Sequence, residues 1–515
     1  MVSTTVMLTT IMVILDMTIV NVSLPYMMGS LGATSDQITW VLTGYIVTTA
    51  VCIPFTGYLA VRLGRKRLMW LSVLGFVIAS GLCGQARSLA EMVLFRILQG
   101  AFGASVVPLS QAVMVDASPG RERGKAMAIW GVGIMLGPIM GPTLGGYITE
   151  QLSWRWVFYI NVPVGLVNLW LIARNLPPAT TVARRQKADW PGALALVLGV
   201  GALQFVLDRG NQEDWFASGT IQVLTVIGIV GLALFARRAW TRADSVVQLQ
   251  LLRDRNLAMS CLMILCFGLG LFGTIVLLPM MLEGLLGYPA QTTGLVMAPR
   301  GIASAAGMFL VSRFIGRSDP RKLLLGGLAL AASGTGVMVA YTADISPAWV
   351  VWPGALQGLG MGMIFVPLST IAYQTLPREA TDQAAGIFNL SRTFGSSIGI
   401  SVVSTIASRM AQVNWNELGG HINPYNPAVH HWLAIRGGNF NDPLALQLLE
   451  QELARQSAMI GFIDTFHFVA LSFVGLALLV MALPRPVPAT QAAAQQSQSC
   501  KKSADYNPRN ERAFS

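Results

Sequence analysis

The sequence predicts an all-α integral membrane protein with fourteen transmembrane helices: two related six-helix halves and two extra helices between them. Its composition is typical of a protein whose solvent is lipid, because 53% of the 515 residues are hydrophobic and only 11% are charged, against about 25% charged in soluble proteins. Fourteen segments approach the length of about 20 apolar residues that crosses a bilayer. An internal repeat relates the two halves.

The first segment lacks a basic leader and a small-residue cleavage site, so we interpret it as a true span and not as a cleaved signal peptide. In chain order, the predicted spans cover residues 4–26, 39–60, 68–86, 90–113, 125–147, 156–174, 190–208, 217–236, 257–282, 291–312, 323–342, 347–373, 385–408 and 459–483.

The basic residues predict the orientation of these spans. A net charge of +11 could indicate nucleic-acid binding, but 26 of the 35 lysines and arginines fall on the side of the N-terminus and six on the opposite side. The other three, Arg96, Arg300 and Arg392, lie within spans. The positive-inside rule therefore places both termini in the cytoplasm, and we expect no nucleic-acid partner.

The repeat appears when the two halves are aligned with an offset of 258 residues. Leu98-Gln99-Gly100 then meets Leu356-Gln357-Gly358, while Pro119, Gly137 and Gly141 meet Pro377, Gly395 and Gly399. Repeats of this kind build transporters whose substrate site lies near the membrane midplane between the halves. The predicted parts are residues 1–176 and 246–484 for the two halves, 177–245 for the linker with the two extra helices, and 485–515 for a disordered cytoplasmic tail.

Asp16 is the only charged residue of the first span. A carboxylate at the centre of such a helix costs at least about 2.5–3.5 kcal/mol, so it indicates a function. The seven-residue spacing places Thr9, Asp16 and Ser23 in one polar stripe, expected to face a cavity or the partner half, while Asn21 points away. Asp16 either titrates during proton coupling or cation binding, or forms a structural hydrogen bond.

The other intramembrane polar residues leave similar alternatives open. Arg96 either tunes the protonation of a carboxylate or bonds backbone carbonyls. Arg300 is interpreted as structural, and Asp464 with His467 as a solvated pair near the outer interface.

Span thirteen carries a second polar face. Asn389, Arg392, Ser396 and Gly399 follow helical spacing, so this face either lines a cavity or forms a hydrogen-bonded packing surface. We expect no metal site, because the four histidines and five cysteines lack ligand-like spacing. Nor do we expect an enzyme, since no nucleophile, metal cluster or phosphate loop is found.

Several motifs carry a resemblance to a known family. They are the first-span sequence 15–25, the arginine motif 94–100, the glycine- and proline-rich run 133–146, the segment 154–165, and the Leu-Asp-Arg-Gly sequence 207–210. Together they resemble the major facilitator superfamily, in particular its fourteen-helix drug:proton antiporters of the EmrB type.

This resemblance implies a proton-coupled multidrug efflux transporter of a bacterial inner membrane, powered by the proton gradient without a cofactor. We assign proton coupling to Asp16, Arg96 and Arg392, and the substrate cavity to Asn21, Gln99, Gln357 and Asn389. We assign conformational gating to Gly57, Gly64, Arg65, Gly133, Gly137, Pro138, Gly141 and Gly145. The glycines also allow close helix packing.

The loop at residues 57–66 departs from the superfamily's gating motif. Val61 stands where an aspartate is usual, which puts in doubt a salt bridge that would hold the cytoplasmic side closed.

Residues 409–458 are predicted to form an outer loop with a helix near 443–456. The resemblance implies a docking surface there for a periplasmic adaptor and, through it, an outer-membrane channel; the alternative is a disordered loop.

The function that fits these observations best is the export of hydrophobic or cationic drugs by alternating access. The alternatives are a selective metabolite transporter of the same fold and, in a different class, a membrane sensor or scaffold that transports nothing.

Overall fold

A computed structural model describes residues 2–118, 123–177, 189–242, 245–314, 318–376 and 380–481. Within these ranges all regular secondary structure is helical, which confirms the predicted all-α class. The α-helices are α1 Val2–Leu31, α2 Ser35–Ile38, α3 Trp40–Cys52, α4 Thr56–Leu63, α5 Arg65–Gln85, α6 Leu89–Gly103, α7 Val106–Asp116, α8 Arg123–Gln151, α9 Trp156–Tyr159, α10 Asn161–Asn175, α11 Trp190–Arg209, α12 Gly219–Thr241, α13 Arg255–Pro279, α14 Ala290–Phe314, α15 Pro320–Met338, α16 Pro347–Ala372, α17 Thr381–Gly420, α18 Pro427–Ile435 and α19 Pro443–Val480.

Eleven helical segments of the described chain are long and apolar enough to cross a membrane. The other three predicted spans coincide with α8, α15 and α17, which are continuous helices but are not among those eleven. The count of fourteen spans therefore remains a prediction. The predicted tail at 485–515 and part of the linker lie outside the described residues.

The packing of the helices repeats between the two halves. In the first half α1 packs along α8, and α6 packs on α3 and α5; in the second half α13 packs along α17, and α16 packs on α14 and α15. The extra helices α11 and α12 pack on each other, and α11 also contacts α3 and α17. The halves meet where α8 contacts α14 and where α17 contacts α4 and α7.

The two extra helices are joined at one end by an ion pair. The Arg238 guanidinium donates to both carboxylate oxygens of Asp189, at 2.6 and 3.1 Å. These hydrogen bonds lower the pKa of Asp189, which lies at the start of α11 just outside the span.

The outer loop contains the predicted helix near 443–456, as the start of α19, but it is more helical than predicted. Helix α17 runs on to Gly420 and α19 begins at Pro443, so most of residues 409–458 is helical. Between them lies α18, which forms a small apolar core with the start of α19 through Val429, Leu433 and Leu449. At 1.5 Å per residue, the 40 residues of α17 are about 60 Å long. Both helices therefore extend well beyond the length that a bilayer needs.

Candidate functional site

Asp16 lies at the centre of a buried polar cluster in the first half. Its carboxylate accepts hydrogen bonds from Arg96 Nη1 at 2.8 Å, Gln99 Nε2 at 3.0 Å and Asn161 Nδ2 at 2.6 Å. The side chains of Asp16 and Arg96 are fully buried. A fully buried ion pair needs further hydrogen bonds to its remaining polar atoms; Gln99 and Asn161 provide them for the carboxylate, whereas Arg96 Nη2 is buried without a hydrogen-bond partner among the described residues.

Arg96 makes both kinds of contact that the sequence left open. Besides its bond to Asp16, it donates through Nε to the Val41 carbonyl at 3.2 Å and through Nη1 to Gln99 Oε1 at 2.8 Å. Its guanidinium lies 4.2 Å from the centroid of the Tyr45 ring, a cation–π distance. The arginine thus joins α6 to α1 and α3.

The polar stripe of α1 faces its own half of the protein. Thr9, Asp16 and Ser23 are all buried, and Ser23 Oγ lies 2.8 Å from the Thr149 hydroxyl of α8. The expectation that the stripe faces a cavity or the partner half is therefore wrong in this conformation. Asn21 points away from the stripe, as predicted, and is exposed.

Helix α8 approaches α1 closely through its glycines. A side chain at Gly133, Gly137, Gly141 or Gly145 would meet atoms of α1, and Thr18 Oγ1 donates to the Gly137 carbonyl at 3.0 Å. The side chain of Pro138 lies outside the described residues. The predicted close packing is confirmed; the gating role of these residues stays a prediction.

Two carboxylates flank Arg65, at the end of the bundle where α4 meets α5, and one of them belongs to the other half. Arg65 pairs with Asp116 of α7 at 2.6 Å and with Asp382 of α17 at 2.8 Å. We call these three residues the latch. Burial raises the pKa of Asp382, and this effect outweighs the lowering by Arg65.

Arg65 links the two halves at this end of the bundle without an aspartate at position 61. Gly64 has a φ of +81°, in the left-handed region that glycine adopts most easily, so it turns the chain and brings Arg65 toward α7 and α17. A Cβ at Gly57 would lie 2.8 Å from the backbone of Gln383, so α4 and α17 also approach closely here. Asp382 of the other half supplies a carboxylate to Arg65, whereas Val61 carries no charge; the gating role stays a prediction.

A further polar pair joins the halves beside the latch. Asn389 of α17 donates to Gln111 Oε1 of α7 at 2.5 Å, and both side chains are fully buried. Asn389 therefore lies between the halves, and its assignment to the substrate cavity stays a prediction. Sequence reasoning missed Gln111, although an amide inside an apolar span is a usable signal.

The remaining predicted residues lie in the second half. Gln357 is buried and donates to Thr335 at 2.7 Å. Arg300 is buried, whereas Arg392 is half-buried and makes no hydrogen bond or ion pair in the described chain. Of the predicted proton-coupling residues, Asp16 and Arg96 are therefore in contact and Arg392 is not part of their cluster. Asp464 is half-buried, 3.5 Å from Asn414 Nδ2, and His467 is exposed.

The paired halves, the buried ion pair and the latch between halves define a secondary transporter. The family model of the Major Facilitator Superfamily matches residues 6–400, and the chain belongs to this family. It is a transporter and not an enzyme.

Curated relatives resemble the chain over nearly its whole length. It is 36% identical to the multidrug export protein EmrB of Haemophilus influenzae, over 94% of this chain and 95% of that protein. It is 35% identical to the EmrB of Escherichia coli K12, over 92% and 93%. It is also 34% identical to the fatty acid resistance protein FarB of Neisseria gonorrhoeae, over 92% and 94%.

Solved structures share the fold. The human organic anion transporter MFSD10 superposes with a TM-score of 0.58 at 16% identity, over 92% of this chain and 98% of that one. The proton:xylose symporter XylE gives a TM-score of 0.57 at 13% identity, over 94% and 98%. At these identities the likeness shows the fold alone.

Proposed function

We propose that the protein is a proton-coupled multidrug efflux transporter of a bacterial inner membrane, with both termini in the cytoplasm. It exports hydrophobic and cationic compounds by alternating access. The similarity to EmrB proteins named for multidrug export supports the export of drugs. The geometry of Asp16 supports the coupling to protons.

The observation that carries the proposal is the buried pair of Asp16 and Arg96. In a low-dielectric interior, neutralising one partner leaves the other as an uncompensated charge, which is strongly unfavourable. A proton on Asp16 therefore destabilises the arrangement in which Arg96 is held between α1, α3 and α6. Proton uptake and a rearrangement of these helices become one event, as coupled transport requires.

The latch supplies the second element of alternating access, a contact between the halves that exists in one conformation. Arg65 begins α5, just after the second predicted span, and the basic-residue pattern supports a cytoplasmic position of the latch. With this orientation, the proposal describes the present conformation as closed toward the cytoplasm. Opening of that side breaks the bonds from Arg65 to Asp382.

The proposal includes a periplasmic adaptor, and through it an outer-membrane channel, as further partners. The helical extensions of α17 and α19 with α18 support this, because they provide a folded surface far from the latch. Exposed apolar side chains there include Ile435 and Leu444, at 68% and 71% exposure, which are typical of a contact surface.

The test is ethidium efflux from proteoliposomes with an imposed pH gradient, comparing the wild type with Asp16→Asn. We expect gradient-driven efflux in the wild type and its loss in Asp16→Asn. Ser23→Ala is the matched control, since it removes another buried polar contact of α1 without changing a charge. Normal gradient-driven efflux by Asp16→Asn would overturn the coupling role, and absence of any gradient-driven transport in the wild type would overturn the antiporter assignment.

A further inference from the structure

Asn161 of α10 connects three helices of the first half. Its side chain is 2% exposed. Its Nδ2 donates to Asp16 Oδ1 of α1 at 2.6 Å and to Ser80 Oγ of α5 at 3.0 Å. The bond to Asp16 is shorter than those from Arg96 and Gln99, at 2.8 and 3.0 Å. One amide nitrogen therefore joins the buried carboxylate to a neutral hydroxyl.

The hydroxyl of Ser80 determines which edge of this amide faces Asp16. Ser80 Oγ donates to the Phe158 carbonyl of α9 at 2.9 Å, and a carbonyl can only accept a hydrogen bond. The single proton of the hydroxyl is thereby used, and its oxygen is left to accept from Asn161. An amide turned the other way would place Asn161 Oδ1 against this oxygen, which is acceptor against acceptor. Ser80 thus holds the nitrogen of Asn161 toward the carboxylate.

Gln99 is a second amide donor to Asp16, but it is held in a different way. Its Oε1 accepts from Arg96 Nη1 at 2.8 Å, and its Nε2 then faces Asp16. A substitution of Gln99 would therefore remove a partner of the arginine as well. Asn161 is held by the neutral Ser80, so its removal changes the surroundings of the carboxylate and leaves the bonds of Arg96 in place.

The hydrogen bonds around Asp16 all favour its charged form. Arg96, Gln99 and Asn161 donate to its oxygens, and donors to a carboxylate oppose its protonation. When Asp16 takes up a proton, its own O–H meets a donor at Asn161. The amide can turn to accept this proton only by giving up the geometry that Ser80 imposes.

We propose that Asn161, held by Ser80, is a positioning residue for proton exchange, and that its fixed N–H donor sets the pH at which Asp16 gains and loses its proton. This inference rests on the proposed function in that Asp16 is the proton-exchanging group. The protonation of Asp16 can nevertheless be measured without transport.

The other titratable groups near Asp16 in the described chain are Arg96 of α6, Tyr45 of α3 and Cys83 of α5. Tyr45 lies against the Arg96 guanidinium, and Cys83 Sγ lies 3.8 Å from Gln99 Oε1. The substitutions used in the test leave all three in place. A change in the titration of Asp16 is then due to the amide and its hydroxyl partner.

The test is a pH titration of the full-length protein in lipid nanodiscs, followed by infrared difference spectroscopy. The signal is the C=O stretching band of a protonated carboxyl that is absent in Asp16→Asn. Asn161→Leu removes the donor at similar volume, and the midpoint of the titration should rise by about one to two pH units, as for the loss of one hydrogen bond to a charged group. Asn168→Leu is the matched control, because Asn168 is a fully buried amide of the same helix that contacts Met12 of α1; its midpoint should equal that of the wild type.

Ser80 provides a second pair of variants. Ser80→Ala releases the amide of Asn161, so we expect a smaller rise of the midpoint, and it carries the test if Asn161→Leu does not fold. Ser80→Thr keeps the hydroxyl and should retain the midpoint of the wild type.

Equal midpoints in the wild type and Asn161→Leu, or an equal rise in Asn168→Leu, would overturn the positioning role. A lower melting temperature of Asn161→Leu with an unchanged midpoint would also overturn it, because it indicates a purely structural asparagine. The absence of an Asp16 band at every pH in both proteins would do the same.

Ethidium efflux, measured in parallel, separates this inference from the proposed function. A midpoint that depends on Asn161 in a protein without gradient-driven export contradicts the function and leaves the positioning role standing. Gradient-driven export that requires Asp16, together with a midpoint independent of Asn161, contradicts the positioning role alone.

Discussion

Replacing Arg65 by glutamine is expected to open the latch. The arginine makes ion pairs of 2.6 and 2.8 Å, and the side chains of Arg65, Asp116 and Asp382 are 31%, 17% and 9% exposed. Exposed ion pairs contribute about 0.2–1 kcal/mol, and the disruption of a fully buried pair costs about 3–5 kcal/mol. The pairs of Arg65 are partly buried, so their contribution is expected to fall between these values. We therefore expect a loss of about 1–3 kcal/mol, which shifts the ratio of closed to open molecules by about 5- to 150-fold.

The shift can be measured as a distance distribution between spin labels at Leu63, two residues before Arg65, and Ser318, which precedes α15 in the second half; both residues are exposed. The labels are introduced after replacement of the native cysteines. Arg65→Gln should move the population toward longer distances. Arg67→Gln is the control, because it removes an exposed arginine of the same segment. An unchanged distribution in Arg65→Gln, or an equal change in Arg67→Gln, would refute this reasoning.

The same assay has a predicted pH dependence. Burial raises the pKa of Asp382 in the closed latch, and opening returns it toward the usual value of about 3.9. A carboxyl whose pKa is higher in the closed state favours that state when it is protonated. This stabilisation is complete at pH values below the ordinary pKa and is lost as the pH rises through the closed-state pKa. The closed population should therefore increase on acidification, and Asp382→Asn should abolish this increase.

Two further predictions concern stability. Gly145→Ala should lower the melting temperature of the purified protein and reduce its free energy of unfolding by about 1–3 kcal/mol, because the added Cβ would lie 2.8 Å from a carbonyl oxygen of α1. Gly146→Ala is the control and should be neutral, because the nearest atom to its Cβ would be 4.0 Å away. Equal effects of the two substitutions would contradict the close packing. Asp189→Asn should lower the melting temperature at neutral pH, because Arg238 lowers the pKa of this carboxyl. A carboxyl whose pKa is lowered by folding stabilises the protein above its ordinary pKa, and this stability is lost as the pH falls through the lowered pKa. The melting temperatures of wild type and Asp189→Asn should therefore become equal in acid. A difference in melting temperature that does not depend on pH would contradict the ion-pair account.

The helical fold and the place of Asp16 could be predicted from the sequence because lipid imposes strong rules. A span must be long, apolar and helical, and a carboxylate within it needs partners. Arg96 and Gln99 were found because both are polar in an apolar run. Asn161 was not assigned to the site, although it lies within a recognised motif, because its bond to Asp16 joins residues 145 positions apart.

The latch could be predicted only in part. The sequence identifies the loop around Gly64 and Arg65, but Asp382 is 317 residues from Arg65 and lies just before a predicted span, where a carboxylate is unremarkable. Similarly, hydropathy detects where α17 leaves the membrane and not where the helix ends. The helix continues to Gly420, twelve residues beyond the predicted span end at 408, because no proline or glycine interrupts it before Gly419.

The central claim is that a proton on Asp16 is exchanged against substrate, and proton release on substrate binding tests it most directly. Addition of ethidium to the purified protein in weakly buffered solution should lower the pH in the wild type. The Asp16→Asn variant should bind ethidium without a comparable release. The same release from both proteins would contradict the assignment of proton coupling to Asp16.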